Sequence, residues 1–479
     1  MPFYLGVDLG SSFIKATLLD GEGRVVTRAR RESSVFSPRE GFFEVDAEEV
    51  WWKGFLSICR KMCSEAPAVS IRALCVSSVC GSFVPVDEAF RPVHNAILYG
   101  IDRRSEVLAA TLNAHYGEEF LQRRLGNVFS THSVLPKILW LKENRPEEYR
   151  RAAFFVSSFN FISARLTGVP SWDAPTAYGA LMLDGETEDV PKWFLEDQGI
   201  AAEKIPSVGP AVAPLGVVTR GAALETGLAA GTVVLRGACD VNAEAMAVNA
   251  VVPGSAVAVF GSTVSLLLNT KARCGLKGFM TGRSLFPGVW RIGAATASGG
   301  RTVEWGRKLG ATAVPASPTG IFFIPYLDGA RTPFDDPSAK GAFLGLTSAH
   351  TPLDMAAAVL ESLGYELAMI ISKMEEAAPF PFLMEASGGL TNLPGLMELV
   401  ADVTGKSLRP RPDVDASYGD ALIAMTADVS PDALPSLDKS LHVVYPSERA
   451  AAYAELRARF TQWALPLTAS SKFLPNSNA

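Results

Sequence analysis

The sequence predicts an α/β chain built as two similar domains, and three observations carry that expectation. A strand–turn–strand unit opens the chain, and a similar one returns near residue 257. Strands and helices alternate behind each copy. The length of 479 residues exceeds what one ordinary core supports and fits two or three domains.

The first copy starts with a short apolar strand, Phe3 to Val7, with Asp8 at its end. Leu9-Gly10-Ser11-Ser12 is a tight turn of small residues, and Phe13 to Leu19 resumes as a second strand. Asp20-Gly21-Glu22-Gly23 turns into a third strand, Arg24 to Ala29. Asp46-Ala47-Glu48-Glu49 has the form of a capping box and starts a helix through about Ser64. Ser70 to Val79 reads as a buried strand, and helices follow near 103–115, 135–150 and 159–167. From about 170 to 235 the chain is rich in Pro, Gly and Ala and shows no clear period. The strand Thr-Val-Val-Leu-Arg then ends just before Cys239-Asp240, and a helix from about Asn242 to Ala250 follows. Pro253-Gly254 punctuates the chain, so the expected domains are 1–250 and 251–445, with 446–479 as a tail.

The second copy runs Val257 to Phe260, turns at Gly261-Ser262-Thr263 and resumes as Val264 to Leu268. Val289 to Ala295 is strand-like and Thr302 to Leu309 helical. Thr351 as N-cap and Pro352 at the first helical position start a helix to about Glu376. Phe382 to Ala386 is a strand, Ser387-Gly388-Gly389-Leu390 a turn, and Asn392 to Thr404 a helix. A last helix spans Tyr418 to Ala427, and about ten C-terminal residues read as frayed.

Composition narrows the function classes. Hydrophobic residues at 48% and charged residues at 20% are ordinary for a globular enzyme. A net charge of −6 argues against a nucleic-acid or anionic-membrane partner. No uninterrupted apolar run reaches the ~18 residues that cross a bilayer. The start, MPFYLGVD, lacks the basic region of a signal peptide and is already strand-like. Six cysteines without a Cys-x-x-Cys pair read as reduced thiols in a cytoplasm. Histidines at 94, 115, 132, 350 and 442 lack metal-ligand spacing.

Two Gly-Ser turns of this kind suit phosphate. Small residues let backbone N–H groups approach an anion, and the hydroxyls add donors. Asp8 beside Gly10-Ser11-Ser12 can hold Mg²⁺ through waters, or it can end a plain hairpin. Lys15 can reach back to a phosphate or stay solvated on its strand. Asp240 stands between a strand and a helix, where α/β proteins place ligands and also where helices take N-caps. Gly388-Gly389 can seat an adenosine close to backbone or form a simple turn. Thr404-Gly405-Lys406-Ser407 is not a P-loop: position 400 is Val rather than Gly, and the segment follows a helix. No G-x-G-x-x-G follows a strand and no G-x-S-x-G elbow occurs.

Taken in order, these residues resemble the FGGY family of carbohydrate kinases, and within it the xylulose-kinase branch most closely. Asp8-Leu9-Gly10-Ser11 matches the family's first phosphate motif, and Gly237-Ala238-Cys239-Asp240 its catalytic stretch. Gly261-Ser262-Thr263 is similar to the second phosphate motif. Ile324 to Pro333 with Gly341 to Thr347 looks like the C-terminal signature. Ser387-Gly388-Gly389 and Tyr418-Gly419-Asp420-Ala421 resemble the adenosine-side glycine turns. The resemblance covers about residues 3 to 445. Departures fall mainly on the sugar side. Val79-Cys80-Gly81 stands where Met-His-Gly is usual, Val241 where Asn is common, and Ala330 where the signature has Glu. Only Asp102 and Arg104 meet the Trp-x-Asp-x-Arg sugar motif.

The resemblance implies two ribonuclease H-like domains of the actin and hexokinase type, with the active site in the cleft between them. It implies ATP as phosphoryl donor, with Mg²⁺ near Asp8. Gly10, Ser11, Ser12, Lys15, Gly261, Ser262 and Thr263 would serve the phosphates, and Gly388, Gly389 and Asn392 the nucleotide. Cys80, Gly81, Asp102, Arg104 and Asp240 would bind the sugar, with Asp240 as general base. The implied substrate is a small ketose, D-xylulose first, with ribulose, glycerol and gluconate as alternatives. A non-catalytic actin-like ATP switch is the rival reading. A homodimer is among the assemblies this reading admits.

Overall fold

The computed structural model describes residues 1–66, 70–310, 314–336, 338–435 and 442–470, with side chains through 464. The frayed end expected from sequence falls mainly on 471–479, outside the described residues. The chain divides into two compact units. The first holds Met1–Val251, Gly282–Val289 and Asp415–Leu437, and the second holds Val252–Thr281, Trp290–Val414 and Asp438–Ala479.

The first unit is built on a mixed sheet. Val25–Glu32, Phe13–Asp20 and Phe3–Leu9 form an antiparallel meander. Ile71–Ser78 then pairs parallel with Phe3–Leu9, and Val233–Leu235 parallel with Ile71–Ser78. Pro214–Val217 closes the far edge, antiparallel to Val233–Leu235.

The two-residue period of the first strand sorts its side chains onto two faces. Leu5, Val7 and Leu9 join a buried core with Trp52, Phe55, Cys59 and Met62. The last three of these lie on the helix Lys53–Glu65, which follows a π-helical turn, Ala47–Trp52, capped by Asp46. Tyr4, Gly6 and Asp8 point the other way, toward the helix Ala416–Met425. Tyr4 Oη donates to Asp428 at 3.0 Å. A Cβ on Gly6 would lie 2.1 Å from the Ser417 carbonyl oxygen, so only glycine permits this approach. The same helix then packs on Asp240–Ala247, where Gly419 meets the Ala243 backbone.

This packing bears on two expectations. The stretch that begins at Asp415, expected in the second domain, groups with the first unit by its contacts. Tyr418-Gly419-Asp420-Ala421 is not an adenosine-side turn: it lies inside the buried helix Ala416–Met425. The reason is steric. A small-residue helix face can lie directly on a strand glycine.

The second unit repeats the scheme. Trp290–Ala295, Val264–Thr270 and Ala256–Phe260 form the antiparallel meander. Leu383–Ser387 pairs parallel with Ala256–Phe260, and Ser407–Pro410 parallel with Leu383–Ser387. Strand order and direction therefore match the first unit's meander and its two following parallel strands. The helix Pro352–Glu375 crosses this core, started by a complete capping box between Thr351 and Asp354. It is the one described helix long and apolar enough to cross a membrane, yet 78% of its most apolar window is buried in the protein. Arg449–Ser470 is a helix, with Tyr453 and Phe460 fully buried in the second core. Elsewhere, Pro146 splits the helix expected over 135–150 into Leu135–Asn144 and Pro146–Arg151, because the residue before a proline is pushed out of helical conformation.

Candidate active site

In the first unit, strand register aligns the candidate residues. Asp8 pairs with Lys15 on one side and with Ser77 on the other. Ala238 pairs with the far side of Ser77. The short strand Ala238–Cys239 then leads directly into the helix Asp240–Ala247. Asp8 and Asp240 thus stand at the carboxyl ends of parallel strands, the usual ligand edge of such a sheet.

Asp8 is buried. Burial, and next the negative field of Asp240, push its carboxyl well above the usual range, while Lys15 opposes the shift. Asp240 is half-buried, and its Oδ1 accepts from the Val241 N–H at 2.9 Å. Gly10 closes the turn by donating its N–H to the Phe13 carbonyl at 3.0 Å, which leaves Ser11 and Ser12 exposed. Lys15 does not stand free for a phosphate: its Nζ lies 3.4 Å from Asp415. An open recess of about 660 Å³ adjoins the turn and is lined by Ser11, Ser12, Glu32, Ser33 and Phe43, without either aspartate.

The expected sugar-side residues are arranged differently from one another. Gly81 has φ +69°, and a Cβ there would fall 2.2 Å from the Tyr99 ring, so the backbone turns beneath that ring. Cys80 is half-buried beside Gly179. Asp102 and Arg104 are both buried. The Asp102 carboxylate accepts from the Phe43 N–H at 2.8 Å and from Arg104 Nε and Nη2 at 2.9 and 2.8 Å. The protein's own donors therefore occupy the Asp102 carboxylate. Its lone pairs orient Arg104, whose Nη2 also donates to Glu44 at 2.8 Å. The guanidinium lies over the Phe42 and Trp140 rings. Its Nη1 is buried and has no hydrogen-bond partner among the described residues.

Sequence reading missed several supporting groups. Ser77 bridges Asp8 and Asp420, and Glu44 completes the Arg104 cluster. Lys137 is buried and donates to the Leu98 and Thr131 carbonyls at 2.8 and 2.7 Å, tying both segments beside the Tyr99 loop. Burial brings its amine down to about 7. None of these carries a motif. A serine or lysine inside an apolar stretch, as in Val76-Ser77-Ser78 and Pro136-Lys137-Ile138, was the available signal.

The second unit brings its candidates together at one sheet edge. Gly261 donates to the Thr263 carbonyl at 3.1 Å and accepts from the Gly300 N–H at 2.9 Å. The helix Gly300–Arg307 therefore begins on this turn. A Cβ on Gly299 would meet Thr263 Cα at 2.5 Å. Gly388, at the end of the neighbouring parallel strand, has φ +93°, and a Cβ there would lie 2.5 Å from the Phe260 carbonyl oxygen. Gly389 opens on free space, and Asn392 is exposed three residues on. Exposed backbone at a Gly-Ser-Thr turn beside an open glycine can bind phosphate and an adjoining nucleoside.

The N-terminal domain model of the FGGY family of carbohydrate kinases matches residues 3–247, and the C-terminal domain model matches residues 256–427. The chain is 27% identical to a xylulose kinase of Escherichia coli over 97% of its own length and all of the relative's. It is 28% identical to a glycerol kinase of Polaromonas naphthalenivorans, covering 97% of this chain and 98% of that one. The crystal structure of xylulose kinase from Rhodospirillum rubrum superposes with a TM-score of 0.88 at 24% identity, covering 98% of this chain and all of the other.

Proposed function

From the premise that this chain belongs to the FGGY family of carbohydrate kinases, phosphotransferases that use ATP and an alcohol acceptor, we propose that it phosphorylates a terminal hydroxyl of a small ketose, D-xylulose first, with Asp240 as general base. The observation that carries the role of Asp240 is the row Lys15–Asp8–Ser77–Ala238, which brings Asp240 to the same strand edge as Asp8 and into its field.

The chemistry follows from charge and proton balance. The sugar hydroxyl oxygen bonds to the γ-phosphorus of ATP as the bond to the β,γ-bridging oxygen breaks and ADP leaves. The hydroxyl proton passes to the Asp240 carboxylate. Backbone N–H groups and hydroxyls at Gly10-Ser11-Ser12, and in the second unit at Gly261-Ser262-Thr263, stabilise phosphate charge. Gly388, Gly389 and Asn392 serve the nucleoside. Arg104 Nη1, an orphan buried donor, serves a sugar hydroxyl, held in place by Asp102 and Glu44.

The donor set fits Mg²⁺. Asp8 is buried in a negative field that a divalent cation would relieve. Among the described residues no group of three His, Cys, Asp or Glu side chains can hold a metal, so waters and phosphate oxygens would complete its shell. When bound, the ion offsets charge on the transferring phosphoryl group. Six free thiols suit a cytoplasmic setting.

A polyol acceptor is the second reading, favoured by the likeness to a glycerol kinase. Cys80 in place of a histidine also removes a strong polar contact from the sugar side, and sugar choice depends on such bonds. The test compares kcat/KM for D-xylulose, D-ribulose, L-ribulose, glycerol and gluconate. Preference for another acceptor by tenfold, about 1.4 kcal/mol, overturns xylulose. In the same assay Asp240→Asn should keep ADP binding and lose roughly 10²–10⁴ in turnover. Near-normal turnover would remove Asp240 from the role of base.

A further inference from the structure

Asp420 is fully buried on the helix Ala416–Met425, facing two strands of the first unit. Its Oδ2 lies 2.6 Å from Ser77 Oγ, and its Oδ1 lies 3.7 Å from Cys75 Sγ. Ser77 Oγ in turn lies 3.3 Å from Asp8 Oδ1. Among the described residues no Lys, Arg or His forms an ion pair with Asp420. A buried acid without a cation is costly, and an apolar residue would fill the same space more cheaply. Packing alone therefore gives no reason for an aspartate here.

We propose that Asp420 is a positioning residue for phosphoryl transfer, acting through the Ser77 hydroxyl to hold the Asp8 carboxylate in one orientation. The inference rests on the reading of Asp8 as the metal- and phosphate-side carboxylate.

Proton counting supports a direction. Ser77 Oγ carries one hydrogen and faces two carboxyl groups, so it can donate to only one of them. Both contacts are hydrogen bonds only when one carboxyl is protonated. Asp420 is the more deeply buried, and Asp8 faces Lys15 across the strand pair. With the proton on the more deeply buried Asp420, that acid donates to Ser77 Oγ and Ser77 donates to Asp8 Oδ1. In that arrangement Ser77 Oγ fixes the Asp8 carboxylate through Oδ1.

The position is rigid enough for such a relay. Gly6 on the strand of Asp8 touches the backbone of Ser417 and Ala421, the residues flanking the turn of helix that carries Asp420. Thr17 and Ser417 share a hydrogen bond at 2.8 Å. Asp415, at the N-cap of the helix, pairs with Lys15.

The test uses the full chain with Asp420→Ala, Asp420→Asn, Ser77→Ala, the Asp420→Ala/Ser77→Ala double variant and Asp8→Asn. Two quantities are read: kcat with the best acceptor, and the gain in ADP affinity on adding Mg²⁺, by calorimetry. Asp420→Ala and Ser77→Ala should each lose roughly tenfold in both, the usual scale for a group supporting a ligating carboxylate. The double variant should be no worse than either single one, because the two residues act as a unit. Asp420→Asn, which keeps a neutral donor toward Ser77, should stay within about threefold of the parent. A merely structural Asp420 would lower thermal stability and leave the Mg²⁺-linked gain unchanged, which overturns the inference. Additive losses, or an Asn variant as poor as Ala, also overturn it. If Asp420→Ala does not fold, Ser77→Ala and Asp420→Asn decide by the same criteria. Asp8→Asn separates the two readings. If it abolishes the gain while Ser77→Ala and Asp420→Ala retain it, only the relay fails. If Asp8→Asn retains the gain, the reading of Asp8 fails and the relay with it.

Discussion

Replacing Gly419 by alanine sets two known effects against each other. Gly419 lies within the helix Ala416–Met425, where Ala is intrinsically better than Gly by about 1 kcal/mol. Its surroundings argue the opposite. A Cβ would sit 1.8 Å from the Ala243 carbonyl oxygen, 2.6 Å from the Ala243 carbonyl carbon and 3.0 Å from the Ala247 N. All three are backbone atoms of the helix that Asp240 begins, so no side-chain rotation relieves the overlap. The two helices would have to part by roughly 1.5 Å to restore contact distance, giving up much of the dispersion energy along their interface. Overpacking of this kind costs about 1–3 kcal/mol and sometimes more, so the expected net loss is about 2 kcal/mol. The displaced helix carries Asp240. A misplacement of about 1 Å at a reacting group can cost on the order of 10² in rate, so kcat should fall well beyond what stability explains. Urea unfolding and kcat measured on the folded enzyme provide the assay. Gly221→Ala is the internal control. Gly221 is exposed in the helix Arg220–Thr226, and a Cβ there meets nothing within 4 Å, so this variant should gain up to about 1 kcal/mol. A Gly419→Ala protein as stable as its parent, with normal kcat, would refute the claim that this contact positions Asp240.

Two other perturbations test neighbouring parts of the molecule. Glu366 is buried and accepts from the Ser298 N–H at 3.0 Å, and burial raises its carboxyl to about 7. The folded state therefore holds a proton that the unfolded state releases. The stability it lends is full below about 4.5 and is lost as pH rises through about 7, a change of about 3 kcal/mol by proton linkage. Glu366→Gln keeps an acceptor for Ser298 and should flatten that part of the stability–pH profile; an unchanged slope would assign it to other groups. At the sugar side, Arg104→Lys replaces a fork with a point charge that cannot serve Asp102, Glu44 and an acceptor together. It should raise the acceptor KM by roughly tenfold or more and lower stability by up to about 3 kcal/mol, because one buried carboxylate loses its partner. An unchanged acceptor KM would mean that Nη1 does not meet the sugar.

The parts legible in the sequence share a cause, and so do the parts that were not. Asp8, Gly10, Asp240, Gly261 and Gly388 stand where a strand ends, and the backbone there needs small residues or a carboxylate beside a turn. Such requirements act within a few residues, so they leave a local pattern. The start of the helix at Thr351-Pro352 was legible for the same reason, since a cap involves only its own first turn. The Asp420–Ser77 bond joins residues 343 apart, and the Arg104–Glu44 pair joins residues 60 apart. A serine at 77 or an aspartate at 420 looks, in its own neighbourhood, like any polar residue in an apolar run. Membership of 415–437 in the first unit was hidden in the same way. The small face of Ala416, Ser417, Gly419 and Ala421 signals close approach to something without saying to what. Its partners, Gly6 and Ala243, are equally small and equally silent in isolation. The residues expected to touch ligand were therefore visible as motifs. Those that hold them in place are ordinary residues whose roles exist only once the chain has folded back on itself.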